Sequence, residues 1–212
     1  MAPPQALLYV TSRVRAPPRI SSEDFNAWYD NEHVPDILKT SGVNAAYRYN
    51  ACAARSGPYL AVYPVRDMQF FGSQEYLTIP TSSDTLPGPT HLCFDIADFD
   101  SRAYATLAEI EDPDMPPGPS SELLAVEFDP PTHAGDAVME WLTGTYTRRA
   151  SQRVRAYKLD TVMYQAEKMD NLPHYLGLLE FDGGSDVYQA AIEEIQPVAK
   201  VARWELRKSF RN

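Results

Sequence analysis

One order of elements occurs twice in this chain, and that repetition limits the possible folds more than any other feature. Before a proline-rich break the sequence reads strand, helix, strand, strand, helix, strand, and after it the same order returns. The break is Asp112–Ser120, D-P-D-M-P-P-G-P-S, a run of turn-forming residues. This divides the chain into a first unit at residues 1–112, a linker at 113–120 and a second unit at 121–212. In the first unit Ala6–Arg13, Val43–Ala53, Tyr59–Val65 and Cys93–Phe99 read as strands. Ser101–Ile110 extends the last of these or forms a short helix. Ile20–Leu38 and Met68–Leu77 carry helical spacing. In the second unit Leu123–Phe128, Arg153–Tyr164, Tyr175–Phe181 and Val198–Phe210 read as strands, with helices at Gly135–Tyr146 and Asp186–Ile195. Setting Trp28 against Trp141 places Phe25 against Val138 and Tyr29 against Leu142. A lone βαββαβ unit leaves one sheet face bare. A duplicate supplies the missing partner within one chain. The expected fold class is therefore α+β, with two ferredoxin-like βαββαβ units packed sheet to sheet.

The most informative helix is I-S-S-E-D-F-N-A-W-Y-D-N-E-H-V-P-D-I-L, Ile20–Leu38. Ser21 is its cap, Asp24 can reach back to that cap, and Ile20 with Phe25 forms a hydrophobic staple. Phe25, Trp28 and Tyr29 start an apolar stripe that Ile37 and Leu38 continue. His33 lies in that stripe, four residues from Tyr29 and four from Ile37. Pro35 lacks a backbone donor and is expected to kink or break the helix there. Ser41-Gly42 reads as its stop signal. A titratable ring at a helix irregularity, on a face that should be buried, is where chemistry is expected.

Composition excludes several classes of function. The net charge of −10 repels phosphate backbones, so no nucleic-acid partner is expected. No apolar run approaches the roughly 20 residues of a membrane span, and the N-terminus has no signal-peptide pattern. Two cysteines, Cys52 and Cys93, suit a reducing compartment, and a cytoplasmic location is expected. No phosphate-binding glycine loop, G-x-S-x-G, C-x-x-C or metal-ligand spacing occurs. The expected cofactor is none, and the expected partner is a small-molecule substrate.

Together, the order of elements and F-N-A-W-Y-D-N-E-H-V-P-D-I-L resemble the dimeric α+β barrel superfamily, and within it the EthD-like family, whose helix reads roughly W-Y-x-x-E-H-x-P. Trp28, Tyr29, Glu32, His33 and Pro35 match it, and D-I-A-D-F-D from Asp95 resembles the closing strand of fungal relatives. The second unit departs from the motif, with Thr145 against Glu32 and Tyr146 against His33. The resemblance implies an intrachain dimeric α+β barrel, a fused pseudo-dimer with one site in its first half. A homodimer of that fused chain is compatible with it. The superfamily includes cofactor-free cyclases, decarboxylases, lactone isomerases, monooxygenases and haem proteins, so the fold does not fix the activity.

His33 is the candidate general acid/base, because an imidazole in a half-buried cleft can titrate near neutrality. Its opposing reading is a core histidine with one satisfied hydrogen bond. Glu32 projects about 100° away around the helix and reads as a solvated or capping group. Trp28 and Tyr29, with Tyr9, Tyr47, Tyr49, Tyr59 and Tyr63 on strands expected beneath the helix, are candidates to bind substrate, although tyrosine also simply favours strands. Asp95 or Asp98 could orient His33 or lie at the surface, and Asp95 also counts among the candidates to bind substrate. Arg13 could hold a carboxylate or be solvated, and His91, His133 and His174 receive no role. These residues imply a cofactor-independent lyase, cyclase or isomerase acting on a hydrophobic, oxygenated, polyketide-like molecule. The alternatives are a non-catalytic ligand-binding or structural protein and, third, a haem-binding protein or cofactor-free oxygenase.

Overall fold

Eight strands close into one antiparallel barrel in the computed structural model, which describes residues 4–17, 19–53, 57–130, 138, 140, 142, 152–166, 170–181 and 185–211. The strands are β1 (Ala6–Val14), β2 (Ala45–Ala51), β3 (Tyr59–Val65) and β4 (Ala97–Glu111), then β5 (Glu122–Phe128), β6 (Gln152–Gln165), β7 (Tyr175–Phe181) and β8 (Lys200–Arg211). Around the barrel they run β1-β3-β2-β8-β5-β7-β6-β4. The first four strands are thus contiguous in the order β4-β1-β3-β2, and the last four in the matching order β8-β5-β7-β6. Sheet edges, rather than only sheet faces, join the halves: β2 pairs with β8, and β4 with β6. Edge pairing leaves no strand unpartnered, which removes the aggregation hazard of an open edge.

Period-two alternation gives each strand two apolar faces and hence the molecule three cores. Leu7 and Tyr9 of β1, Tyr49 of β2 and Trp204 of β8 fill the barrel interior. Leu8, Val10, Ala61 and Tyr63 face outward onto the first-half helices, with Phe25, Trp28 and Ile37. Leu124, Val126 and Leu179 face outward in the second half, onto Val138, Leu142 and Tyr188. Tyr188 belongs to α4 (Ser185–Ile195). Among the described residues no helix is long and apolar enough to cross a membrane.

Several elements differ from the sequence reading for local reasons. Met68–Leu77 is a 3₁₀ turn at Met68–Gly72 followed by one turn of helix, α3 (Gln74–Leu77). Asp67 caps the first and Ser73 the second, so two caps divide one apolar run. Cys93–Asp95 is a 3₁₀ turn rather than strand, and β4 starts only at Ala97. Gly42 does not end the helix with a left-handed backbone. It leaves room for Phe70, whose ring would lie 2.2 Å from a Cβ at that position. Trp141, Thr145, Tyr146 and His133 lie outside the described residues, so the pairings of Trp141 with Trp28 and of Tyr146 with His33 do too.

Candidate functional site

The helix under the sequence motif starts as its cap predicts. Ser21 Oγ accepts from Asp24 N–H at 3.0 Å and donates to the Asp24 carboxylate at 2.7 Å, opening α1 (Ser22–Trp28). The helix does not break at Pro35. Instead it widens into a π-helical turn, Tyr29–His33, and continues as α2 (Val34–Leu38). Pro35 has no N–H to offer the ladder, and Val34 N–H reaches back five residues to Tyr29 C=O. That turn places the His33 ring flat against Trp28, five residues earlier, at 5.2 Å between centroids and 19° between planes. Tyr29 meets the same imidazole edge-on at 5.0 Å.

His33 Nδ1 lies 3.2 Å from Pro80 C=O. A carbonyl only accepts, so Nδ1 carries the proton and Nε2 keeps its lone pair. The half-buried imidazole has its pKa lowered to about 4. Loss of hydration is the main cause; the Pro80 hydrogen bond opposes it, and the Arg48 charge adds to the lowering. This corrects the expectation of titration near neutrality. The ring is neutral at pH 7, available as a proton acceptor but not poised as a donor.

Beneath His33 lies a buried polar cluster that sequence reasoning missed. Arg48 Nη1 donates to Asp30 at 2.8 Å and Nη2 to Asn26 at 2.9 Å, while the guanidinium carbon sits 3.8 Å from the Tyr29 ring centroid. Tyr63 OH donates to Tyr29 OH at 3.2 Å. Burial raises both phenol pKa values, so both stay protonated. The available signal was Arg48 itself. It is a charge inside the alternating strand A-Y-R-Y-N, on the outward face, opposite a helix that carries Asn26 and Asp30 four residues apart.

Glu32 is neither free in solvent nor a cap. It accepts from Ser83 Oγ at 2.5 Å and Thr85 Oγ1 at 2.9 Å, fastening the Pro80–Thr85 segment over the helix beside the Pro80–His33 contact. Asp95 accepts from Thr90 N–H and Oγ1 at 2.9 and 2.8 Å, so its hydrogen bonds hold a loop and do not orient His33. Arg13 pairs with Asp98, which also holds Arg15. The predicted tyrosines separate by face. Tyr59 packs on Phe25 at 5.4 Å and Tyr63 on Tyr29, both under the helix. Tyr9, Tyr47 and Tyr49 point into the barrel instead, because on strands alternation assigns neighbouring positions to opposite faces.

Among the described residues two open clefts stand out. One, of about 760 Å³, runs along α1 and is walled by Trp28, Asp24, Glu32 and Thr85. The other, of about 820 Å³, is the mouth of the barrel. His33 lines neither. An axial role toward haem needs a porphyrin-sized slot at Nε2. Neither open cleft reaches His33, so the site as folded does not fit that group. Among the described residues, no three His, Cys, Asp or Glu side chains converge as a metal site.

Comparison with known proteins supports the fold. No family model matches the chain. A core atranone cluster protein of Stachybotrys chlorohalonatus is 30% identical over 113 residues, which cover 52% of this chain and 48% of that protein. The match thus spans about half the length of that relative. An anthrone oxidase-like protein superposes with a TM-score of 0.55 at 9% identity, covering 97% of this chain and 92% of its own. Its fold is similar to that of dimeric α+β barrel proteins. A monooxygenase-like protein of Fusobacterium nucleatum gives 0.56 at 9% identity, covering 98% and 95% of the two chains. A chlorite dismutase-like protein gives 0.56 at 10% identity, covering 96% and 95%.

Proposed function

We propose that the chain is a cofactor-independent, EthD-like enzyme of secondary metabolism. In this reading it removes a proton from a hydrophobic, oxygenated small molecule, with His33 Nε2 as acceptor. The observation that carries it is the fixed tautomer: Pro80 C=O holds the Nδ1 proton and leaves a neutral nitrogen base beside Trp28. Substrate reaches Nε2 as Ser83 and Thr85 lift from Glu32 while Pro80 C=O stays on Nδ1. A C–H next to a carbonyl gives its proton to Nε2, and its electron pair becomes an enolate. An imidazole with a pKa of about 4 is a weak base in the resting site. The enolate charge forming against it raises its affinity for the proton as transfer proceeds. The enolate then cyclises, isomerises, eliminates or meets oxygen, according to the substrate. The atranone-cluster relative supports a substrate from secondary metabolism, and a polyketide-like one is the form proposed here.

In the same reading the halves 1–112 and 121–212 are a fused pair of ferredoxin-like units with one working site, in the first half. The matching strand orders of the two halves support this. Anthrone, a carbon acid of the right class, provides the test. Wild-type protein should accelerate exchange of its methylene protons in D₂O, followed by NMR, and His33→Ala should lose about 10²–10⁴-fold of that acceleration. Exchange within about threefold of wild type in His33→Ala would rule the mechanism out.

A further inference from the structure

The barrel interior is not filled to both ends. Leu7 of β1 lines the 820 Å³ cup, but Tyr9, the next inward position, does not. Leu178 and Leu176 on β7 divide the same way, as do Tyr157 and Leu159 on β6. The deeper residues are packed around Trp204, with Tyr9 against Tyr104 at 6.3 Å. The cup is therefore blind, open at one end of the barrel and plugged by large side chains below. An eight-stranded barrel is just wide enough for side chains to fill it or for one small ligand to sit in it.

The chemistry of the wall selects among ligands. Leu7, Val62, Leu123 and Leu178 make it apolar. Tyr47, Tyr49 and Tyr157 also line it, and no hydrogen bond joins their hydroxyls to a described residue. Tyr49 is 3% exposed and Tyr157 5%, and what accessibility they keep lies in the cup they line. Burial raises the pKa of both, so each hydroxyl keeps its proton to donate. Arg155 donates from Nε to Glu109 and from Nη1 to Glu180, each at 2.6 Å, and its Nη2 bonds to no described residue. Among the described lining residues, four guanidiniums (Arg66, Arg153, Arg155, Arg211) face three carboxylates (Glu109, Glu111, Glu180). Arg66 already pairs with Asp67 at 2.8 Å, which leaves three guanidiniums to three carboxylates, so in a chain of net charge −10 this mouth has no excess negative charge of its own to repel an anion.

We propose that the barrel mouth is a ligand site separate from His33, taking a flat aromatic molecule that bears phenol or carbonyl oxygens and one carboxylate. The ring lies on the leucines, the oxygens meet Tyr49 and Tyr157, and the carboxylate meets Arg155. The sheet divides this site from the helix face, since Tyr47 and Tyr49 point in where Arg48 points out.

The test is a fluorescence titration of the full chain with 1-hydroxy-2-naphthoate, with 1-naphthol as the neutral comparison. Expected is saturable one-to-one binding, tighter for the naphthoate. Tyr49→Phe and Tyr157→Phe should each weaken it about three- to tenfold, the loss of one hydrogen bond. Thr106→Trp, a substitution at the rim that leaves the packed plug intact, should abolish it, and His33→Ala should leave it unchanged. Three results would overturn the site. These are no saturable binding by folded wild-type protein, equal affinity in wild type and folded Thr106→Trp, or loss of binding in folded His33→Ala.

Discussion

Lowering the pH should expose His33 as a cost to the folded state. An unfolded chain protonates this histidine near 6.5, whereas the folded protein holds it neutral down to about 4. Between those values the unfolded state binds more protons, so stability is full above 6.5 and falls as the pH drops toward 4. The gap, at about 1.4 kcal/mol per pH unit, amounts to about 3 kcal/mol. Partial exposure of the ring reduces this to about 2–3 kcal/mol. At pH 5 roughly 2 kcal/mol should already be lost. Carboxylates titrate over part of the same range, so the informative quantity is a difference. His33→Gln keeps a donor for Pro80 and cannot take up a proton. Urea unfolding at pH 7.5 and pH 5.0 should show wild type losing about 2 kcal/mol more than the variant. Equal losses within about 0.5 kcal/mol, or an imidazole midpoint above 6 by NMR, would refute burial as the controlling influence on this ring.

Three other perturbations follow from the geometry. Arg48→Met strands Asp30, which keeps only the longer contacts to Arg207 at 3.4 Å and Lys208 at 4.0 Å. Chemical denaturation should register a loss of about 3 kcal/mol, and less than 1 would mean that the pair does not organise the helix. Gly42→Ala forces a methyl into the Phe70 ring and should destabilise by about 1–3 kcal/mol, lowering Tm by several degrees. Glu32→Ala frees Ser83 and Thr85, so amide exchange across residues 80–92 should quicken while Tm stays within about 2 °C. Unchanged exchange would show that Glu32 does not fasten the segment.

Features governed by local chemistry were legible in the sequence. The Ser21 cap is a contact between near neighbours, and strand alternation is written in residue order. What escaped depends on partners that residue order does not announce. Cys93–Asp95 alternates like a strand, yet Asp95 is drawn to Thr90 and the chain turns there. Gly42 looked like a helix stop, while its actual constraint is an aromatic ring 28 residues later. The π turn was half visible: Pro35 announced a lost hydrogen bond, but not that the helix would widen rather than break. Which face of β1 and β2 meets the helix was also out of reach. Both faces are apolar in a barrel covered by helices, so periodicity fixes the alternation and not its sign.

That missing sign separates the two candidate sites. On β2 the sequence A-Y-R-Y-N sends Tyr47 and Tyr49 into the barrel and Arg48 out to the helix. A slip of one residue would bury an arginine among leucines without a partner and set two phenols against Asp30, which would keep only its longer contacts to Arg207 and Lys208. The β2 register is therefore set electrostatically as well as by its apolar pattern. Arg48 can face only the side that carries Asp30 and Asn26, and this choice turns the tyrosines toward the barrel mouth. The same salt bridge that steadies the helix under His33 thus places the hydroxyls of the second cavity. Asp30→Asn would test this link. It keeps the shape of the partner and removes its charge, so β2 amide protection should fall together with 1-hydroxy-2-naphthoate affinity. If the exchange-measured stability of β2 dropped by more than about 1 kcal/mol while the naphthoate affinity held, Arg48 would not be what orients Tyr47 and Tyr49.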